Sequence, residues 1–302
     1  MSSGFLFAIA IALFCQCASS ARYGVPDNRV HQFAGYLGIP LRTAGAPCGN
    51  RPNYASCGGS LVSIPGFPTR RMFITARHCL HTRTNASDKL VVHFGDYDKR
   101  IVDPVCSRTV GFVTTGAVVY TATHVWFPPL PPGEGTTYSY GIGIYKEDYG
   151  IVLLDTEVSS NQVDKPAVIF DSSKNATLVL PVVGTAGYGL VGWGTLLDGT
   201  LGQPLPTQGS RDKMYVQLDI TSVQPTNMIG SMNAATLEQA LCNGDSGSSA
   251  MEPTTVNGVY NLYGAVSFGD VQCRATNTFT RIGTAAYNAW LASIKADVLS
   301  KA

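Results

Sequence analysis

Short apolar stretches rich in Val, Ile, Thr and Tyr recur along the chain, each bounded by glycine, proline or other turn formers. An apolar run at 30–41 can open a strand system, and strands are predicted at 60–63, 71–75, 90–94, 110–125 and 151–154. Further strands are predicted at 167–170, 178–183, 214–220, 260–268 and 278–282. Many short strands at this spacing read as barrels or a sandwich. The pattern changes once: 284–301 sets Tyr287, Trp290, Leu291, Ile294 and Val298 at helical spacing, predicting a C-terminal helix with one apolar face. The clearest breaker is 127–135 (FPPLPPGEG), whose adjacent prolines fix φ and withdraw backbone donors, so a surface loop is expected there.

The segment FLFAIAIALF at 5–14 is followed by Ala18, Ser19, Ser20 and Ala21, the layout of a secretory leader ending near residue 21. At about ten residues it is too short to cross a hydrocarbon core of roughly 30 Å as a helix. Export is therefore expected, with no membrane anchor. Of the 302 residues 14% are charged and the net charge is +1, so no global field draws nucleic acid or an anionic membrane. Two of the eight cysteines, Cys15 and Cys17, would leave with the leader. Cys48, Cys57, Cys79, Cys106, Cys242 and Cys273 then remain, an even set suited to disulfides whose pairing spacing alone leaves open. The sequons at Asn85 and Asn175 fit a glycosylated export route.

Three stretches carry candidate chemistry. Cys242-Asn243-Gly244-Asp245-Ser246-Gly247-Ser248-Ser249 surrounds a serine with small residues, so the backbone can approach a carbonyl closely. Backbone N–H groups of Gly244 and Ser246 would then face a developing oxyanion. Met72 to Cys79 ends an apolar strand in His78 beside a cysteine, a setting none of His31, His81, His93 or His124 shares. Asp148 directly precedes the buried-looking run 151–154, where a carboxylate can orient an imidazole tautomer. A serine hydroxyl is a weak nucleophile without such a base.

Together these stretches resemble the chymotrypsin/trypsin family of serine proteases, with His78, Asp148 and Ser246 in that family's order along the chain. Cys57 to Leu61 resembles its CGGSL strand, Thr75 to Cys79 its TAAHC, and Gly192-Trp193-Gly194 the GWG of its second barrel. Ser267-Phe268-Gly269 looks like the strand that pairs with substrate backbone, and Thr280-Arg281-Ile282 like the strand after it. The resemblance implies an all-β fold of two six-stranded antiparallel β-barrels with a C-terminal helix. It divides the chain into a leader at 1–21, a short N-terminal segment or propeptide at 22–29 and a protease domain at 30–302. It pairs Cys57 with Cys79, Cys242 with Cys273 and, by elimination, Cys48 with Cys106. Ser267 would hydrogen-bond Asp148. Ala240, Asn243, Ser267, Phe268, Gly269 and Asn277 would line the substrate site. Ala240 and Asn277 cannot neutralise a cation, so an uncharged residue before the scissile bond is expected. A monomeric, secreted endopeptidase acting on polypeptides follows, with a catalytically inactive homologue serving as a binding module as the alternative.

The chain also departs from the family pattern. Arg77 replaces a small residue and sets a long cation beside His78; Ser248 and Ser249 replace Gly-Pro. No Ile-Val-Gly-Gly start exists to be freed towards Asp245. Gly24 to Asp27 look like the start of members that dispense with that switch, so no cleavage at Arg29 is expected to be needed. Gly187 to Gly192 matches G-x-G-x-x-G but is read as loop glycines, since no helix follows to hold a pyrophosphate. Ser248 breaks the G-x-S-x-G of an esterase, and no P-loop or HExxH occurs, so neither cofactor nor metal is expected.

Overall fold

The computed structural model of the chain describes residues 25–38, 57–80, 90–95, 100–103, 108–112, 119–129, 147–171, 188–192, 195–197, 204–209, 213–232, 241, 245–269 and 276–302. The first half carries β1 (Val25–Pro26), β2 (Ala34–Gly38), β3 (Cys57–Ser63), β4 (Met72–Thr75), β5 (Val91–Phe94), β6 (Arg100–Asp103), β7 (Arg108–Phe112), β8 (Val119–Trp126) and β9 (Gly150–Leu154). The second carries β10 (Ala167–Ile169), β11 (Tyr188–Gly192), β12 (Thr195–Leu197), β13 (Pro204–Gly209), β14 (Met214–Val223), β15 (Asn227–Met232), β16 (Ser249–Met251), β17 (Asn261–Gly269), β18 (Thr276–Arg281) and the helix α1 (Ala285–Lys301).

The pairing order β3-β2-β5-β8-β9-β4 closes on itself through β3 and β4, and β16-β11-β14-β15-β18-β17 closes through β16 and β17. These are two six-stranded antiparallel rings, the architecture expected. Closure leaves neither ring with an open edge. Strand β10 links them, running parallel to both β3 and β17. The hairpins β6-β7 and β12-β13 lie outside the rings.

Each ring encloses its own core. In β9 every residue is buried, which explains its continuous apolar run, whereas β14 alternates buried Met214, Val216, Leu218 and Ile220 with half-buried neighbours. Helix α1 packs Tyr287, Leu291 and Val298 onto the first ring's core, with Trp290 and Ile294 beside them. That is the apolar face read from spacing. Thr284 caps the helix, its hydroxyl accepting from Tyr287 N at 3.2 Å. Asp297 accepts from Trp126 Nε1 at 2.8 Å and holds the last turns against β8.

Some expectations change. The single strand expected at 110–125 is represented by β7 and β8, with 113–118 outside the described residues; 178–183 lies outside them as well. Residues 188–192, read as loop glycines, form β11, because β14 pairs with them on one side and β16 on the other. Neighbouring strands supply there what intrinsic propensity does not. The same reason accounts for β15 and β16, which the hydrophobic pattern did not mark.

The segment before Arg29 is bound to the second ring. β1 pairs with β14 at Val25↔Tyr215 and Pro26↔Met214, and Asp27 N donates to Lys213 O at 2.8 Å. Asn28 and Arg29 then take φ values of 49° and 65°, and Val30 N returns to Asp27 O at 3.0 Å, closing a tight turn at the surface.

Candidate active site

The histidine arrives at the site through a strand, a turn and a disulfide. After β4, Ala76 is extended and Arg77–Cys79 form one turn of 3-10 helix. Cys79 is bonded to Cys57, the first residue of β3, with Cα atoms 6.2 Å apart. Closing a loop of 22 residues is worth about 3 kcal/mol in chain entropy. The tether holds the turn at the mouth of the first ring.

Asp148 lies just before β9, which pairs with β4 at Thr75↔Gly150. That register sets carboxylate and imidazole side by side. Asp148 Oδ1 accepts from His78 N at 2.9 Å and Oδ2 lies 2.7 Å from His78 Nδ1. Ser267 Oγ donates to the same Oδ2 at 2.6 Å. Ser267 sits where the β17–β18 register shifts between Val266 and Phe268, an irregularity of the kind that re-aims a side chain.

An ionised carboxylate only accepts, so Asp148 selects the tautomer with its proton on Nδ1 and leaves Nε2 with a lone pair. Burial opposes charge on Asp148, which is 1% exposed, but attraction to His78 and the hydrogen bonds from His78 and Ser267 outweigh it and hold the carboxyl below its usual range. Burial likewise disfavours the imidazolium of His78, and the Asp148 charge overcomes it, so the imidazole titrates above its usual value. Among the described residues Cys57, His78 and Cys79 bring ligand atoms within 4.8 Å of one another. The two sulfurs are joined to each other, so that group offers no thiolate to a metal.

Ser246 occupies the turn at 245–248, where Ser248 N donates to Asp245 O at 3.0 Å. Gly58 N donates to Ser246 O and Gly247 N to Val266 O, each at 2.8 Å. Gly247 has φ +81°, and a Cβ there would meet Thr75 Oγ1 at 2.2 Å and Ala76 N at 2.9 Å. The serine turn is therefore seated on the two residues that lead into the histidine turn. Gly58 is required for the same closeness, since a Cβ on it would lie 2.1 Å from Ser248 Oγ. Thr75 Oγ1 donates to Gly58 O at 2.7 Å within the first ring, and Ser60 Oγ donates to Ser249 Oγ at 2.9 Å, tying the far flank of the turn to that ring. Ser249, one of the departures from the family pattern, thus has a partner.

Of the expected substrate contacts, Ser267, Phe268 and Gly269 follow one another at the end of β17, and Asn277 lies opposite Gly269 on β18. Phe268 is 40% exposed and Asn277 2%. Ala240, Asn243, Gly244, Cys242, Cys273, Cys48, Cys106, Asn85 and Asn175 lie outside the described residues. His31 is buried, His93 half-buried and His124 exposed; His81 lies outside the described residues. The sequence reading missed what surrounds His31. Its Nδ1 hydrogen-bonds Asp27 Oδ1, Lys213 Nζ lies 3.1 Å from Asp27 Oδ2, and the imidazole stacks on Tyr215 at 5.0 Å. The i,i+4 spacing of Asp27 and His31 was available as a signal; Lys213, 182 residues from His31, had none.

No curated protein matches the chain. The family model described as Trypsin matches residues 133–291, just over half of the chain and a span that includes Asp148 and Ser246. With two closed six-stranded rings, a C-terminal helix and this match, the chain belongs to the trypsin family.

Proposed function

We propose that the protein is a secreted serine endopeptidase that hydrolyses peptide bonds through Ser246, His78 and Asp148. The observation that carries this reading is the buried Asp148 carboxylate, which accepts from His78 N and Ser267 Oγ and orients the imidazole through Nδ1. Held in this way, the imidazole keeps its Nε2 lone pair available to act as a base, which is what the triad chemistry requires.

In the proposed reaction His78 Nε2 takes the proton of Ser246 Oγ as the oxygen attacks the scissile carbonyl carbon. The carbonyl π pair moves onto oxygen, where the N–H groups of Gly244 and Ser246 stabilise the anion. Collapse of the intermediate breaks the C–N bond, and His78 returns its proton to the leaving amine. Water, deprotonated by the same nitrogen, then attacks the acyl-enzyme and releases Ser246. Asp148 stays ionised throughout and stabilises the imidazolium at each passage.

The wider reading includes export after a leader at 1–21, a protease unit at 30–302, disulfides Cys242–Cys273 and Cys48–Cys106, glycans on Asn85 and Asn175, and a monomer acting on polypeptides after uncharged residues. Activation by cleavage at Arg29 is not needed in this reading. Support comes from Asp27, which lies before Arg29 yet is buried among groups that follow it, Lys213 and His31.

Labelling with a fluorophosphonate is the direct test. The secreted protein is expected to label with Arg29–Val30 intact, and Ser246→Ala to lose the label. Peptide libraries should then show cleavage after uncharged side chains in preference to Lys or Arg. Disulfide-bonded protein that labels neither before nor after cleavage at Arg29 would instead be a binding protein on a protease scaffold.

A further inference from the structure

Arg77 stands immediately before His78 and is 6% exposed. Its guanidinium lies over the Phe127 ring, 5.5 Å from the centroid, and its Nε is buried with no hydrogen-bond partner among the described residues. A guanidinium stays ionised throughout the working range of a protein. Taking that charge out of water costs more than the face of a ring returns. An apolar side chain of similar length would fill the same space without the cost. Packing alone therefore does not account for a cation at this position.

What Phe127 touches supplies the second observation. It directly follows β8, whose Trp126 pairs with Ile151 of β9. A Cβ on Gly150 would lie 2.6 Å from Leu80 Cδ1, 3.0 Å from Trp126 O and 3.3 Å from Phe127 Cβ. Leu80 is itself bound to the histidine turn, its N–H donating to Arg77 O at 2.8 Å. The end of β8, the start of β9 and the far end of the histidine turn thus meet at one place. On one side of it Asp148 is two residues from Gly150; on the other, His78 is next to Arg77.

We propose that Arg77 is a positioning residue, its contact with Phe127 setting the distance and angle between the His78 imidazole and the Asp148 carboxylate. The role rests on the triad reading above. It works through geometry: the charge that shapes His78 is that of Asp148, which Ser267 holds from β17, and the adjacent Cys57 and Cys79 are bonded to each other and do not titrate.

The test compares Arg77→Met, Arg77→Lys and Phe127→Leu with the wild type, measuring kcat, KM, melting temperature and the pH profile of kcat/KM on one peptide substrate. Arg77→Met is expected to fold with an unchanged or higher melting temperature, because an apolar chain replaces a buried charge. Its kcat should fall about tenfold, an effect between those of an exposed and a desolvated cation–π contact, with KM within about twofold. The acid limb should move to lower pH, because an imidazolium less well placed against Asp148 is less stable. Arg77→Lys keeps a cation over the ring and should recover to within about threefold of wild type.

Phe127→Leu should match Arg77→Met, and the double variant should be no worse than either, since both break one contact. Phe127→Leu carries the same expectation if Arg77→Met does not accumulate as folded protein. Unchanged kcat and acid limb in the single variants, or additive losses in the double one, overturn the proposal. So does an acid limb that moves to higher pH, which would identify the guanidinium as a field acting on the imidazole. A wild type that fails to label with fluorophosphonate overturns the triad reading and this inference with it. A labelled wild type whose variants are insensitive overturns this inference alone.

Discussion

Asp148→Asn is expected to lower kcat by about four orders of magnitude while the protein folds and binds substrate normally. The amide matches the carboxylate in shape but presents an oxygen and an N–H₂ where two accepting oxygens now sit. His78 N and Ser267 Oγ both need an acceptor at this residue, and His78 Nδ1–H needs one as well. An amide cannot accept from all three. If its oxygen keeps the His78 backbone N–H, its nitrogen takes the Oδ2 place facing both Ser267 Oγ and Nδ1, and the imidazole must move its proton to Nε2, where it cannot act as a base. Loss of the negative charge also removes what stabilises the imidazolium. Steady-state kinetics beside urea unfolding separates the two effects: a loss of kcat with unchanged unfolding supports the catalytic role. Equal losses of activity and stability would make Asp148 a structural residue. In the wild type, kcat/KM should decline as pH falls through a value above the ordinary histidine pKa of about 6.5, since protonation of His78 removes the base.

The largest effect on stability is expected at Asp27. Its carboxylate, 2% exposed, meets Lys213, 1% exposed, and the Nδ1 and backbone N–H of His31. Asp27→Asn leaves the Lys213 ammonium buried without that countercharge, and breaking such a pair costs about 3–5 kcal/mol. Asp27→Asn with Lys213→Met should recover part of the loss, because the second change removes the stranded charge. Urea unfolding of the single and double variants tests this; equal stability of wild type and Asp27→Asn would show that the pair contributes nothing.

The same cluster predicts an acid limit. Burial works against the Asp27 carboxylate, but the His31 hydrogen bond and the Lys213 charge prevail and lower its pKa in the fold. A carboxyl depressed on folding contributes stability that is fully present above its unfolded pKa of about 3.9 and is lost as pH falls through the lower folded value. Unfolding in acid should therefore begin below about pH 4 and be blunted in the double variant. Cleavage at Arg29 would cut the covalent link between Asp27 and His31, so the proposed outcome of that cut is a weaker protein and no gain of activity.

The sequence by itself determined a β-rich chain with one terminal helix and the candidate residues, and its resemblance to the protease family supplied the two-barrel architecture. Periodicity of two, turn formers between short strands and one helical stretch at the end are local properties, so strands such as β3, β4, β5, β9, β14, β17 and β18, and the helix α1, were legible. The GDSG stretch, the histidine beside Cys79 and the carboxylate before β9 were equally legible, because reactive residues come with constrained neighbours: glycines at Gly58 and Gly247, where a side chain would collide, and a cysteine that bonds back to β3. Only the tertiary structure decided the rest. β11 is a strand because β14 and β16 flank it. Asp27 met Lys213, and Arg77 met Phe127, across separations that no pattern along the chain encodes. Buried charge explains why such pairs escape a linear reading: an ionised side chain in a sequence predicts exposure, and only closure of the barrels brings the partner that lets it lie inside.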